Sequence, residues 1–413
     1  MRKQVIAVSL ILIFTLITGC TSTSSQPSID DKQTSIPSIS DVPSGNDTTP
    51  TPDVSQPTAR LPVTDIDTSR IHGDIDNIYY ANGSNVLILA DSLYLYDIST
   101  GSVIAETVRE SFYEESYFAI DNGIVVVGLK DSESSNNGGL MVTSDMGGAI
   151  CAIYNNNLEK VNEISGSIFM DAEEFLFSSE HVTVSRDGTK IAYASDYGLF
   201  IYDIQSGAKT KLIDLLDDNA AHRSGLVMFD DVAFVNGDSM IAFKSQSLDV
   251  PAVNGKPSFD TYGTINIDGT ELKANRNVEY AVKEMIAYDS LVFWAEDFTV
   301  PSGRLMVWEI ASKNTKILSL STKKESGTVF GSSDGQYFAT SALSQDGLKD
   351  SLTVRVYDTN TGALVLEKTI SDESAYMSRE PEIRIIDGYN TCIVLLGNRQ
   401  SDINTKVLTF NFD

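Results

Sequence analysis

A turn that recurs along the chain constrains the fold more than any other feature of the sequence. It is written Asn82-Gly83, Asn122-Gly123, Asp187-Gly188, Asn236-Gly237, Asp289-Ser290, Asp334-Gly335 and Asp387-Gly388. The mean spacing of about 51 residues is close to the length of a four-stranded propeller blade. A second marker keeps phase with the first: a strand-ending aromatic or aliphatic residue follows each turn, at Tyr96, Tyr154, Tyr202, Ile267, Trp308, Tyr357 and Phe410. Three of these strands run into Asp-x-x-Thr/Ser-Gly, at Asp97 to Gly101, Asp203 to Gly207 and Asp358 to Gly362. There the Asp and hydroxyl oxygens can accept turn amides while Gly takes the positive φ of a bulged hairpin. These acids read as hairpin tips, not as catalytic groups.

Between turn and marker lie short runs with little polar interruption: "VLILA" from Val86, "IVVVGL" from Ile124, "LVFWA" from Leu291 and "CIVLL" from Cys392. A sheet with one wet face would alternate, so these strands must be covered on both sides. Blades packed face to face around an axis supply that cover. The expectation is an all-β fold, a seven-bladed β-propeller of four-stranded antiparallel blades over residues 61–413. The last repeat supplies three strands ("EIRII", "CIVLL", "VLTFNF"), and Leu61 to Ile66 are expected to provide the fourth and close the ring, with Pro62 on an edge.

One repeat, "VSRDGTKIAYASDYGLFIYDI" from Val184 to Ile204, resembles the propeller repeat of the TolB translocation protein and related WD-repeat-like bacterial families. The other six share the turn and the strand ending but diverge in length. Arg186 stands where the family usually has Pro, and the Gly-His dipeptide of true WD repeats is missing. The resemblance implies a fold and not a TolB role.

The propeller is preceded by two segments of different character. Arg2 and Lys3 lead into a 14-residue apolar run, Val5 to Thr18, the size of a signal-peptide core and short of the roughly 20 residues a spanning helix needs. It ends in "LITGC", similar to a bacterial lipoprotein signal. That resemblance implies a diacylglyceryl group on Cys20, removal of residues 1–19 as signal peptide, and a location on the extracytoplasmic face of a bacterial membrane. The alternative is an uncleaved anchor with an incidental cysteine. Two acyl chains suffice for stable anchoring. Residues 20–60 read as a tether: from Thr21 to Arg60 there are 16 Ser or Thr, six Pro and no aromatic residue, too little to bury. Such a segment spans about 35 Å as a coil and about 120 Å as polyproline.

The net charge of −27 repels a phosphate backbone and excludes nucleic acid as a partner. The expected partners are membrane lipid through Cys20 and a protein or peptide, with a glycan as an alternative. Insertions mark where they would bind. The second unit has 32 residues between Asn122 and Tyr154 and the fourth has 31 between Asn236 and Ile267, against 14 and 15 in the first and third. Long loops on a rigid scaffold are where binding concentrates. The candidate residues are Asp145, Asp217, Asp218, His222, Arg223, Phe259 and Tyr262 there, with Phe112, Tyr113, Asp171, Glu173, Glu174 and Tyr376 on neighbouring connections. Acids beside aromatics suit a basic peptide or a sugar stacked on a ring; the plain alternative is solvated loops on an acidic protein.

Catalytic patterns fare poorly in this sequence. "GSSDG" at Gly331 to Gly335 matches a Gly-x-Ser-x-Gly elbow around Ser333, but it coincides with the sixth hairpin turn and runs into a strand, where an elbow needs a helix. Three histidines leave no HExxH motif. "DIDTSRIHGDID" from Asp65 to Asp76 places Arg70 where a calcium loop needs Gly. Sialidase boxes and quinone-type Trp endings do not occur. Cys151 and Cys392 read as small buried hydrophobes. The expectation is therefore a non-catalytic module with no catalytic residue, metal or cofactor; the alternative is a carbohydrate-active or hydrolytic enzyme using carboxylates on the loop face.

Overall fold

The computed structural model describes residues 65–412 except 111, 131–148, 166–180, 196, 217–225, 227, 247–260, 277–281, 297–302, 313, 326–328, 347–348, 372–380, 387 and 398–404. The signal segment, Cys20, the tether and Leu61 to Thr64 lie outside these residues.

All the sheets are antiparallel and wound in chain order. The first blade is β1 (Asn77–Asn82), β2 (Asn85–Leu89), β3 (Ser92–Asp97) and β4 (Ser102–Val108); the second is β5 (Phe112–Ile120), β6 (Gly123–Lys130), β7 (Ala149–Asn155) and β8 (Lys160–Ser165). The third is β9 (Val182–Val184), β10 (Lys190–Ser195), β11 (Gly198–Asp203) and β12 (Lys209–Asp214); the fourth is β13 (Met228–Val235), β14 (Met240–Gln246), β15 (Thr261–Asn266) and β16 (Lys273–Arg276). The fifth is β17 (Val282–Tyr288), β18 (Leu291–Glu296), β19 (Arg304–Glu309) and β20 (Asn314–Ser319); the sixth is β21 (Val329–Gly331), β22 (Tyr337–Asp346), β23 (Lys349–Asp358) and β24 (Leu364–Ile370). The seventh has β25 (Glu382–Ile386), β26 (Thr391–Gly397) and β27 (Thr405–Asn411) among the described residues.

Each recurring turn within the described residues joins the first two strands of its blade, and six of the seven marker residues are the last but one of the third strand; in the fourth blade that place belongs to Ile265, two residues before Ile267. The first strands touch their neighbours all the way round, β1 against β5, β5 against β9, and on to β25 against β1, so the seven blades form a closed propeller. A backbone bridge between Ser332 and Ile385 ties the sixth blade to the seventh.

The packing explains the unbroken apolar strands. In β2, Val86 and Ile88 join the cluster between the seventh and first blades, while Leu87 and Leu89 join the one between the first and second. Alternate residues thus point into opposite seams, and both seams are dry. Each of the seven seams has its own buried cluster among the described residues. Cys151 and Cys392 belong to two of them, and burial pushes both thiols up to about 12.

On the turn side the hairpins hand over from blade to blade. The Asp121 N–H donates to the Arg186 carbonyl at 2.8 Å, the Arg186 N–H to the Asp238 carboxylate at 2.7 Å, and the Gly237 N–H to the Asp289 carboxylate at 2.6 Å. The Gly331 N–H donates to the Tyr288 hydroxyl at 3.0 Å. The Asp-x-x-Thr/Ser-Gly segments are the hairpin tips expected: in the third blade Ser206 gives its amide and hydroxyl to Asp203 at 2.8 and 2.7 Å, and Gly207 sits at φ +70°. "GSSDG" forms the β21–β22 hairpin, with the Ser332 hydroxyl donating to Asp334 at 2.7 Å, and leads into a strand.

The segment before β1 differs in one respect from the expected closing strand. Ile66 is not paired in a ladder, because Asp67 beside it caps a short 3-10 turn (Thr68–Arg70) and gives its N–H to the Tyr96 hydroxyl at 2.9 Å. Ile66, Ile71 and Ile75 are nevertheless buried against Ile386, Ile393 and Leu395 of the seventh blade. The Ile75 N–H also donates to Thr405 Oγ1 of β27 at 3.0 Å.

Candidate functional site

Of the residues nominated from sequence, Asp145, Asp171, Glu173, Glu174, Asp217, Asp218, His222, Arg223, Phe259 and Tyr376 lie outside the described residues, as does the side chain of Tyr113. Phe112 and Tyr262 are described, and they sit in different seams. Phe112 packs between the first and second blades, its ring lying over Gly128, where an added Cβ would come within 2.6 Å. Tyr262 packs between the fourth and fifth blades, its hydroxyl 3.9 Å from Met306 Sδ.

The seam at Tyr262 holds a cavity among the described residues. Its volume is about 480 Å³, within the range of about 300–1,000 Å³ usual for small-molecule sites. Its fourth-blade wall follows from strand periodicity: Tyr262, Thr264 and Asn266 share one face of β15 and pair with Lys244, Ala242 and Met240 of β14. The fifth-blade wall is Trp308 of β19, Ile310, Ala311, and Thr315 of β20, with Trp308 opposite Thr315 in register. Asn236, Glu271 and Lys273 border the turn end.

The cavity has a local cause. Counting back from the strand-three marker, the residues three and one before it point into the next seam. They are Leu93 and Leu95 in the first blade, Cys151 and Ile153 in the second, Leu199 and Ile201 in the third, Leu305 and Val307 in the fifth and Val354 and Val356 in the sixth. In the fourth blade Ile265 pairs Ile241 as Tyr202 pairs Ile191, so the two positions are Tyr262 and Thr264, and Asn266 takes the strand-end place of Asp97 and Asp203. One small polar side chain, Thr264, stands where those five blades carry Leu95, Ile153, Ile201, Val307 and Val356, and the cavity lies beside it. Strand register carries this signal; the spacing from Ile267 does not, because Ile267 lies two residues beyond the equivalent place.

The chemistry of the walls is polar but nearly uncharged. Thr264 is 0% exposed and its hydroxyl has no hydrogen-bond partner, an omission that costs about 1–3 kcal/mol where it stands. The Asn266 amide N–H donates to Thr270 Oγ1 at 3.0 Å and the Asn236 amide N–H to Ser239 Oγ at 2.9 Å, which leaves their carbonyl oxygens as acceptors. Lys273 and Glu271 pair at 3.5 Å and cancel each other's charge. Trp308 is 8% exposed and presents one side of a large flat apolar wall.

A second polar group gathers near the inner strands. Arg109 is bonded to Asp76 and to Glu115, the Tyr117 hydroxyl donates to Glu115 at 2.7 Å, and Arg384 lies 5.5 Å over the Tyr79 ring. Its members satisfy one another, and burial holds the Tyr117 phenol well above its ordinary range. It braces the seams that flank the first blade. Among the described residues, no group of three or more His, Cys, Asp or Glu is placed to hold a metal ion.

No protein-family model matches this sequence, and no curated protein does. Solved structures do. The β-propeller domain of Myceliophteria thermophila Cps50 (Swd1) aligns over 81% of this chain and 97% of its own, with a TM-score of 0.51 at 8% identity. Kuenenia stuttgartiensis hydrazine synthase aligns over 84% of this chain and 99% of its own, with a TM-score of 0.48 at 12% identity. At such identities the likeness concerns fold alone. The chain is a seven-bladed β-propeller.

Proposed function

We propose that this chain is a bacterial lipoprotein with a TolB-like propeller, held through Cys20 on the extracytoplasmic face of the membrane and acting as a non-catalytic binding module. The cavity between the fourth and fifth blades carries the reading: among the described residues a closed ring presents there a recess lined by apolar side chains, neutral hydrogen-bonding groups and one paired Glu–Lys couple, an arrangement suited to binding. Its one carboxylate among the described lining residues, Glu271, is paired to Lys273. The anchor is supported by "LITGC", and the tether by the Ser/Thr/Pro-rich stretch that follows it. Together they set a binding surface some tens of ångströms from the lipid. A protein or peptide partner would engage the loops above the second to fourth blades, where the insertions concentrate.

The test is a pull-down from the native envelope with the full chain, compared with a variant in which residues 131–148 and 247–260 are each replaced by a short Gly-Ser link. Loss of captured partners in the variant is expected. The same captured set with and without the loops would overturn the loop-face part of the reading.

A further inference from the structure

We infer that the cavity between the fourth and fifth blades binds a neutral sugar. This rests on the binding-module reading and names the ligand class for that site. Three features of the walls select the class. Burying an apolar ligand there would leave the Thr264 hydroxyl without a partner, a costly omission, and would waste the Asn236 and Asn266 carbonyl oxygens at the more exposed edge. An anion meets the field of a protein of net charge −27, and the one cation among the described lining residues, Lys273, is already paired with Glu271; a cation finds that same carboxylate occupied. A neutral polyhydroxylated molecule avoids both penalties. Its C–H face can lie against the Trp308 indole while its hydroxyls meet amide carbonyls and threonine hydroxyls, which both donate and accept.

Thr264 is the discriminating residue. It stands at a position that five other blades fill with an apolar side chain; the seventh has Thr409 there, and both threonine hydroxyls lack a partner, but Thr264 is the one that lines the cavity. A valine in its place keeps the shape and removes the unmet bond. The free protein therefore gains or keeps stability on Thr264→Val, while a ligand that satisfies the hydroxyl loses affinity. A purely structural threonine cannot produce that opposition of signs.

The experiment is calorimetric titration of the full chain in detergent with methyl β-glucoside, methyl α-mannoside, methyl β-N-acetylglucosaminide, cellobiose and maltose, followed in parallel by tryptophan fluorescence. At least one of these should bind saturably by about 10 mM, as a Kd in the millimolar range or tighter requires. Thr264→Val should weaken it about tenfold, equal to about 1.4 kcal/mol, with the melting temperature unchanged or raised. Thr264→Ser should retain binding, and Thr315→Ala, on the exposed side of β20, should weaken it without touching the buried wall. No saturable signal from any of the five sugars overturns the inference. So does binding that Thr264→Val and Thr315→Ala both leave unchanged, or a preference for glucuronate over glucose. If the sugars fail while the loop-dependent pull-down succeeds, the binding-module reading stands and the sugar inference alone falls.

Discussion

The main-chain N–H of Asp67 donates to the phenol oxygen of Tyr96 at 2.9 Å, and five blades further on Ser321 makes the same bond to Tyr357 at 3.0 Å. In both places the strand-three tyrosine reaches back to the connection that enters its own blade, and a 3-10 turn follows, Thr68–Arg70 in one case and Lys323–Glu325 in the other. The segment before β1 is thus built as a blade-to-blade connection. It ends against β27 of the seventh blade through Ile75 and Thr405.

Removing that connection should open the ring. Deletion of residues 61–70 takes away Ile66 and the Asp67–Tyr96 bond and is expected to lower the melting temperature sharply, whereas deletion of ten residues of the tether, 40–49, should leave it unchanged. Tyr96→Phe alone should cost about 0.5–1.5 kcal/mol, the ordinary worth of one hydrogen bond. Differential scanning calorimetry reads all three.

Glu325 concentrates the polar energy of the sixth blade. Its carboxylate is 0% exposed and accepts from Arg355 at 3.0 Å, Tyr357 at 2.6 Å, Thr340 at 2.8 Å and the Thr322 N–H at 2.7 Å. Burial, followed by the bond to Glu325, pushes the Tyr357 phenol up to about 12. Glu325→Ala leaves a largely buried guanidinium short of its partner and should cost about 3–5 kcal/mol in urea unfolding. Glu325→Gln, which keeps an acceptor, should cost distinctly less.

Two glycines of the recurring turn should respond differently to alanine. At Gly123 (φ +152°) an added Cβ would fall 1.8 Å from the Tyr154 carbonyl oxygen, so the backbone must move. Gly237 (φ +61°) has nothing within 4 Å of that position. Gly237→Ala should therefore cost only the left-handed backbone penalty of about 1–2 kcal/mol. Gly123→Ala should exceed about 4 kcal/mol and is expected to reduce the yield of folded protein.

Two turn carboxylates should respond to pH in opposite directions. Bonds from the Ser206 amide and hydroxyl hold Asp203 below its ordinary 3.8, so its stabilisation is present above pH 3.8 and is lost as the pH falls through its lower folded value. Desolvation by burial, opposed by the Arg186 N–H, raises Asp238 above 3.8; the folded state then favours the protonated form, and that advantage is lost as pH rises through the raised value. Asp203→Asn should lower the melting temperature at pH 7, with the gap closing below pH 3.8. Asp238→Asn keeps an acceptor for Arg186 and should leave the melt at pH 7 unchanged or raise it, a difference that shrinks on acidification.

The ring was legible in the sequence because blade packing writes itself into it twice. Gly or Asp is required where a hairpin turns left-handed, as at Gly188 and Asp289, and strands covered on both faces lose their polar alternation, as in "VLILA". The phased marker matches the register in six blades and runs two residues late in the fourth, where Ile265 holds the place given to Ile267. The cavity was harder to see, because Thr264 looks like an ordinary strand residue until Ile201 is placed at the same position in the preceding blade. Phe112 stands among the candidate binding residues on the connections, but chain position does not reveal that Gly128 leaves a recess for its ring. Only Tyr262 of the nominated residues falls on the cavity within the described part of the chain.

The proposed membrane anchoring through Cys20 is tested most directly by the intact mass of the chain recovered from bacterial membranes. A chain that begins at Cys20, lacks residues 1–19 and carries a diacylglyceryl group on that cysteine is the expected result, with Cys20→Ala moving the protein to the soluble fraction. A chain that retains residues 1–19 with an unmodified Cys20, and that distributes identically with and without the substitution, would contradict it.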